Sequence, residues 1–126
     1  MWKKKYQNTN LTLVKKQQLI NDLLRHMVTE KIYCDSALTL TGLAKKMEIS
    51  VPYLSQIINE EFSLSFPEFI NSYRIKEARR LLFEQSEYTI QQIMYEVGFN
   101  SKSAFNSAFK KNTGHTPSEI RQALYK

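Results

Sequence analysis

Thr89-Ile90-Gln91-Gln92-Ile93-Met94-Tyr95-Glu96-Val97-Gly98-Phe99-Asn100-Ser101-Lys102-Ser103-Ala104-Phe105 is the stretch that decides the fold. Thr89 with Gln92 three residues on is a capping-box start for a helix, and Gly98 stops that helix at a turn. Ser101 then opens a second helix. The same design stands fifty residues earlier, in Thr39-Leu40, Leu43, Met47, Ile49, Ser50 and Leu54. The register is fifty through Ile49 and Phe99 and fifty-one from Ser50 and Ser101 onward, so one residue is inserted at the turn. A short helix, a tight turn and a second capped helix outline a helix-turn-helix, whose second helix can enter the DNA major groove. Two copies predict two reading heads on one polypeptide.

The punctuation outside the repeat is helical as well. Leu19/Ile20, Leu23/Leu24 and Met27/Val28 mark an amphipathic helix from about Val14 to Lys31, followed by a connector to Leu38. In the first copy, Leu40, Leu43, Ala44 and Met47 face inward, then Tyr53, Leu54, Ile57 and Ile58, with Pro52 in the first turn of the second helix. Ser65-Phe66-Pro67-Glu68 is a capping box opening the longest helix, to about Glu84, with apolar positions spaced to touch both halves. Ala104, Phe105, Ala108 and Phe109 form the buried stripe of the second copy's last helix. Thr116-Pro117-Ser118-Glu119 caps a final helix carrying Ile120, Leu124 and Tyr125. The expected fold class is all-α, seven helices without a strand, as two helix-turn-helix subdomains joined by a long linker helix. The expected divisions are a basic lead-in at 1–13 and a DNA-binding domain at 14–126. Within it lie helix-turn-helix units at 39–61 and 89–113 and the linker helix at 66–84.

With 126 residues the chain makes one compact domain, or two small subdomains sharing a helix. Three Gly and three Pro argue against a turn-rich β fold. The net charge of +6 is uneven: +4 over residues 1–39, −2 over 40–97 and +4 over 98–126. A basic surface favours polyanions such as nucleic acid or anionic lipid. Cys34 is alone, which excludes a disulfide framework and a thiolate metal site and assigns it to packing. His26 and His115 lack ligand spacing, and no Ser/His/acid set or glycine-rich phosphate loop is present. An enzyme is therefore disfavoured, and no cofactor or metal is expected. No apolar run is long enough to span a bilayer, and the start has no signal-peptide core.

The second copy closely resembles the AraC/XylS signature. The matching residues are Arg74-Ile75, Ala78 and Leu81-Leu82, then Ile90 and Ile93, then Val97-Gly98-Phe99, Ser101, Phe105 and Phe109-Lys110, and Thr113-Gly114 with Thr116-Pro117. Leu43-Ala44, Ser50, Tyr53-Leu54-Ser55, Ser65-Phe66 and Phe69 match the family's less regular half. The resemblance covers roughly residues 38–122. It implies a seven-helix domain whose two helix-turn-helix units enter successive major-groove segments on one face of the duplex. Ile57-Ile58-Asn59-Glu60-Glu61 and Phe99-Asn100-Ser101-Lys102-Ser103-Ala104-Phe105-Asn106 also resemble AraC-type regulators of the Bacteroidetes. In these the domain often ends a longer, sometimes membrane-embedded, sensor. The chain is accordingly expected to be part of a longer protein, cytoplasmic or on the cytoplasmic face of the membrane. Trp2 and Lys3 to Lys5 suit a juxtamembrane position, and a flexible solvated start explains them equally well. Three departures from the family bear on the angle between the heads. Met94 stands where a small residue is usual, Glu48 holds the turn position of Gly98, and Ser63 replaces a glycine after the first recognition helix.

The two recognition helices differ chemically. From Ser50 to Glu61 there is no Lys or Arg, and the exposed candidates are Val51, Pro52, Ser55, Gln56 and Asn59. Gln and Asn can pair with adenine, Ser can bond either way, and Val51 or Pro52 can meet a thymine methyl. The second helix offers Lys102, Ser103, Asn106, Ser107, Lys110 and Lys111 and no acid. By the resemblance, Pro52, Ser55, Gln56, Lys102, Ser103, Asn106 and Ser107 occupy base-facing positions. The expectation is a division of labour, with the second head gripping by charge and the first reading by neutral hydrogen bonds. Helix starts at Thr39 and Thr89 are candidate phosphate sites. Arg74 is expected to pair with a neighbouring acid, and Arg79 and Arg80 to lie on a solvated or partner-facing side. The expected partners are double-stranded promoter DNA, RNA polymerase and an upstream sensor. The alternatives are a helical protein-interaction module with only non-specific DNA affinity, and anionic-membrane attachment through residues 1–16.

Overall fold

The computed structural model describes residues 2–125, with side chains from Thr12 to Tyr125. Expectations resting on the side chains of Trp2 and Lys3 to Lys5 lie outside the described residues. Seven α-helices follow one another: α1 Trp2–Val28, α2 Leu40–Lys46, α3 Val51–Phe62, α4 Phe66–Glu84, α5 Ile90–Glu96, α6 Lys102–Thr113 and α7 Pro117–Leu124. One 3-10 turn, Ile32–Cys34, lies between α1 and α2, and no strand occurs among the described residues.

Side-chain caps start the helices where the sequence places them. Thr39, Ser50, Ser65, Thr89, Ser101 and Thr116 each accept from the backbone N–H three residues on. Glu68, Gln92 and Glu119 close full capping boxes. A lost cap of this kind costs about 1 kcal/mol.

α1 departs from expectation at both ends. It starts at Trp2 rather than Val14, because neither Gly nor Pro interrupts the run. It ends at Val28, and Lys31 then turns left-handed with φ 51. Among the described side chains of α1, Ile20, Leu23 and Met27 are buried, while Leu13, Val14 and Val28 are exposed. Val28 thus leaves the predicted stripe, and His26 enters it. The His26 ring is buried between Asp22, 3.6 Å from Nε2, and Glu30 beside Nδ1.

Two hydrophobic cores form, and α4 serves both. Phe69 and Ile70 join Leu23, Leu43, Leu54 and Ile58 in the first. Ile75, Ala78, Leu81 and Leu82 join Ile93, Val97, Phe105 and Phe109 in the second. Met94, the unusually large residue, is buried in this second core. The connector after α1 is ordered into the fold, with Tyr33 buried and its ring stacked on Tyr73 at 5.8 Å. Burial pushes the Cys34 thiol pKa up, which suits a packing role.

Candidate nucleic-acid interface

The two heads share one backbone geometry. In the first turn, the Ile49 N–H donates to Ala44 O at 3.0 Å and the Glu48 N–H to Lys45 O at 3.1 Å. In the second, the Phe99 N–H donates to Met94 O at 3.0 Å and the Gly98 N–H to Tyr95 O at 3.2 Å. Glu48 and Gly98 both sit at positive φ, 59° and 106°. The repeat read in the sequence is therefore a repeat of hydrogen bonds.

Each turn aims a second helix outward. On α3, Leu54, Ile57 and Ile58 are buried, and Pro52, Ser55, Gln56 and Asn59 are exposed, with Val51 half-buried. On α6, Phe105, Ala108 and Phe109 are buried, and Lys102, Ser103, Ser107, Lys110 and Lys111 are exposed, with Asn106 half-buried. Helical spacing puts Pro52, Ser55 and Asn59 along one stripe and Ser103, Ser107 and Lys110 along the other. Thr39 and Thr89 are exposed, but their hydroxyls are engaged as caps of α2 and α5.

On α3 and α6 two expected core positions differ, and they are the same position in the two heads. Tyr53 is half-buried and lines a groove of about 520 Å³ with Lys15, Gln18 and Leu19 of α1. Its counterpart Ala104 is exposed, and the described α1 side chains that enter a core, Leu23 and Met27, enter that of the first head. Ala104 therefore joins the outward face of α6, where its methyl can meet a thymine methyl. The sequence pattern assigned it to the core, since Ala is compatible with either side of a helix.

The electrostatics of the two faces are opposite. Glu60, near the end of α3, accepts from Gln56 Nε2 at 2.8 Å and pairs with Lys16 of α1 at 3.0 Å. Lys16 also reaches Glu61 at 3.2 Å. The Gln56 hydrogen bond and then Lys16 hold the Glu60 carboxyl below its ordinary pKa. Lys111 takes the equivalent place on α6 and pairs with Glu68 of α4 at 3.1 Å. Lys102 and Lys110 are exposed and make no ion pair among the described residues.

Arg74 behaves differently from expectation, and Arg121 has a role that the sequence did not announce. Arg74 pairs with backbone rather than with an acid: Nε donates to Tyr33 O at 2.7 Å and Nη2 to Asp35 O at 3.0 Å. Arg121, to which no role was assigned, donates to the carbonyls of Tyr88 and Gln85, closing the loop between α4 and α5. Arg79 is exposed, and Arg80 is paired with Glu77 and Glu84. Carbonyl acceptors carry no residue identity, so no sequence signal announces such bonds.

Two outward helices on twin capped turns define a DNA-binding domain with two helix-turn-helix units. A family pattern described as helix-turn-helix domain matches residues 43–123. The chain is 36% identical over 89 residues to the Msm operon regulatory protein of Streptococcus mutans, covering 71% of this chain and 32% of that protein. It is 31% identical over 88 residues to the melibiose operon regulatory protein of Escherichia coli, covering 70% and 29%. Among solved structures, the C-terminal domain of AraT, a response regulator from Geobacillus stearothermophilus, superposes with TM-score 0.68 at 33% identity, covering 74% of this chain and 76% of that one. The C-terminal domain of the two-component response regulator yesN from Fusobacterium nucleatum gives 0.69 at 31%, covering 80% and 97%. The chain belongs to the AraC/XylS family of helix-turn-helix, sequence-specific DNA-binding transcription regulators, and not to an enzyme family. It spans 32%, 13% and 38% of three of its curated relatives' lengths.

Proposed function

We propose that α3 and α6 read successive major-groove segments with different chemistry, α3 as a reader and α6 as an anchor. The observation that supports this most is the charge inversion at equivalent positions, with Glu60 on α3 where α6 has Lys111. On this reading Pro52, Ser55, Gln56 and Asn59 meet base edges, with Val51 beside them. Lys102 and Lys110 neutralise phosphate, while Ser103, Asn106 and Ser107 supply hydrogen bonds within the groove. Lys111 reaches DNA only by leaving Glu68. The N–H groups at the starts of α2 and α5, beside Thr39 and Thr89, add backbone contacts to phosphate.

The full-length protein is read as a cytoplasmic regulator in which a sensing segment sets the activity of this domain and RNA polymerase is the second partner. Relatives named as operon regulators and response regulators support that reading. The runs around Asn59 and Asn106 favour a Bacteroidetes-type subgroup, and among the described residues no helix is long and apolar enough to cross a membrane.

Gln56→Ala tests the reading role. Sites selected from random DNA are scored by base-pair substitution, for wild type and variant. Gln56→Ala should relax preference at one or two positions by about 1–3 kcal/mol and leave the rest unchanged. Uniform weakening on every DNA would show that Gln56 does not read.

A further inference from the structure

Arg74 stands where both cores and the connector meet. Along α4, Phe69 and Ile70 belong to the first core and Ile75 and Ala78 to the second, so Arg74 marks the crossing. Its two backbone acceptors, Tyr33 O and Asp35 O at 2.7 and 3.0 Å, belong to the connector that precedes the first head. Its guanidinium carbon lies 5.4 Å from the ring centroid of Phe99, in the turn of the second head. Gly98 closes the junction. A Cβ there would stand 2.9 Å from Arg74 Nε and collide with the Tyr33 carbonyl oxygen, and φ is 106°. The second head's turn therefore rests directly on the first head's connector, with one guanidinium holding both.

Apolar packing on α4 is non-directional and tolerates rocking, whereas hydrogen bonds to fixed carbonyls are directional. Two charged ties also cross the junction: Lys111 to Glu68, with side chains 70% and 42% exposed, and Lys31 of the connector to Glu77 of α4 at 3.1 Å, with the lysine 46% exposed. Such solvated lysine pairs constrain weakly. The planar fork of arginine can bond two carbonyls and stack on a ring at once, which a lysine ammonium cannot.

We infer that Arg74 is a positioning residue that fixes the angle between the two heads and so selects the spacing of the DNA segments read together. The inference rests on the two-head reading proposed above. One added base pair moves a segment by about 3.4 Å along the duplex and about 35° around it. A rigid junction should reject that change, and a loosened one should follow it.

Arg74→Lys and Phe99→Leu, the latter keeping an apolar side chain at a buried position, are compared with wild type. Binding is measured on a selected two-segment site, on the same site with one base pair inserted or removed, and on a single segment. Wild type should lose about tenfold or more on altered spacing, the scale of coupling between groups sharing a contact. The variants should bind the three spacings within about threefold of one another and keep wild-type affinity for the single segment. Residual dipolar couplings of the free protein should fit one alignment frame in wild type and two in the variants. Wild-type spacing preference in a folded variant, or couplings that still fit one frame, would overturn the inference. If Arg74→Lys does not fold, Phe99→Leu decides. If selection yields no two-segment site, the two-head reading fails instead, and the couplings alone decide the junction.

Discussion

Lys31, Glu48 and Ser63 hold left-handed backbone at φ 51, 59 and 55°, a region that favours glycine. Glu48 and Ser63 were legible as strained sites, because the repeat aligns Glu48 with Gly98 and the family motif places glycine at 63. Lys31 was not, since nothing in the sequence fixes the end of α1 to within a turn. Relief of strain predicts that Glu48→Gly stabilises the domain by about 1 kcal/mol, less the entropy glycine adds to the unfolded chain. Thermal unfolding checks this, and an unchanged or lower midpoint contradicts it. Glu68 carries the clearest pH signature. The Ser65 backbone N–H, then Lys111 and the Ser65 hydroxyl, lower its pKa from 4.5 to about 2. A carboxyl depressed in the folded state adds stability that is fully present above its unfolded value. That stability is lost as pH falls toward the folded value. Wild type should therefore exceed Glu68→Gln in melting temperature at pH 6, with the gap closing between pH 4.5 and about 2. A gap that stays constant across that window would exclude Glu68 titration as its cause.

At the level of elements, α1 distinguishes the two heads. Its residues flank Tyr53, and its Lys16 neutralises Glu60 and Glu61 at the outward end of α3. The apolar stripe of α1 was readable, because i, i+3 and i+4 spacing survives in a helix packed on one side. Its reach back to Trp2 was not, because the polar run 3–12 carries no helix period. The capped starts of α2 to α7 were readable for a local reason: a cap and its partner N–H lie three residues apart. Arg74 was misread because its carbonyl partners lie in a connector distant in sequence, and Ala104 because alanine suits either side of a helix. If Lys16 screens the acids beside the reading helix, Lys16→Ala should weaken DNA binding at low salt, and adding Glu60→Gln should recover most of the loss. Quantitative binding at low and high salt measures this. A double variant as weak as Lys16→Ala alone would instead make Lys16 a direct phosphate contact.

Across the whole molecule, the chain is two small cores strung on α4, with positive charge gathered toward its ends and acids in the middle. Neither head buries its hydrophobic face without the shared helix, so the long linker was legible in a pattern that touched both repeats. The angle between the heads was not, because it depends on a guanidinium meeting two carbonyls and a ring. The division into a charged anchor and a neutral reader remains the central functional claim, and counterion release offers a direct test. The logarithm of the association constant on the selected site should fall linearly with the logarithm of salt concentration. Lys102→Ala and Lys110→Ala should each flatten that slope by about one unit and weaken all sequences alike, whereas Gln56→Ala should leave the slope unchanged. Slopes unaltered by either lysine variant, or flattened equally by Gln56→Ala, would contradict the division between the heads.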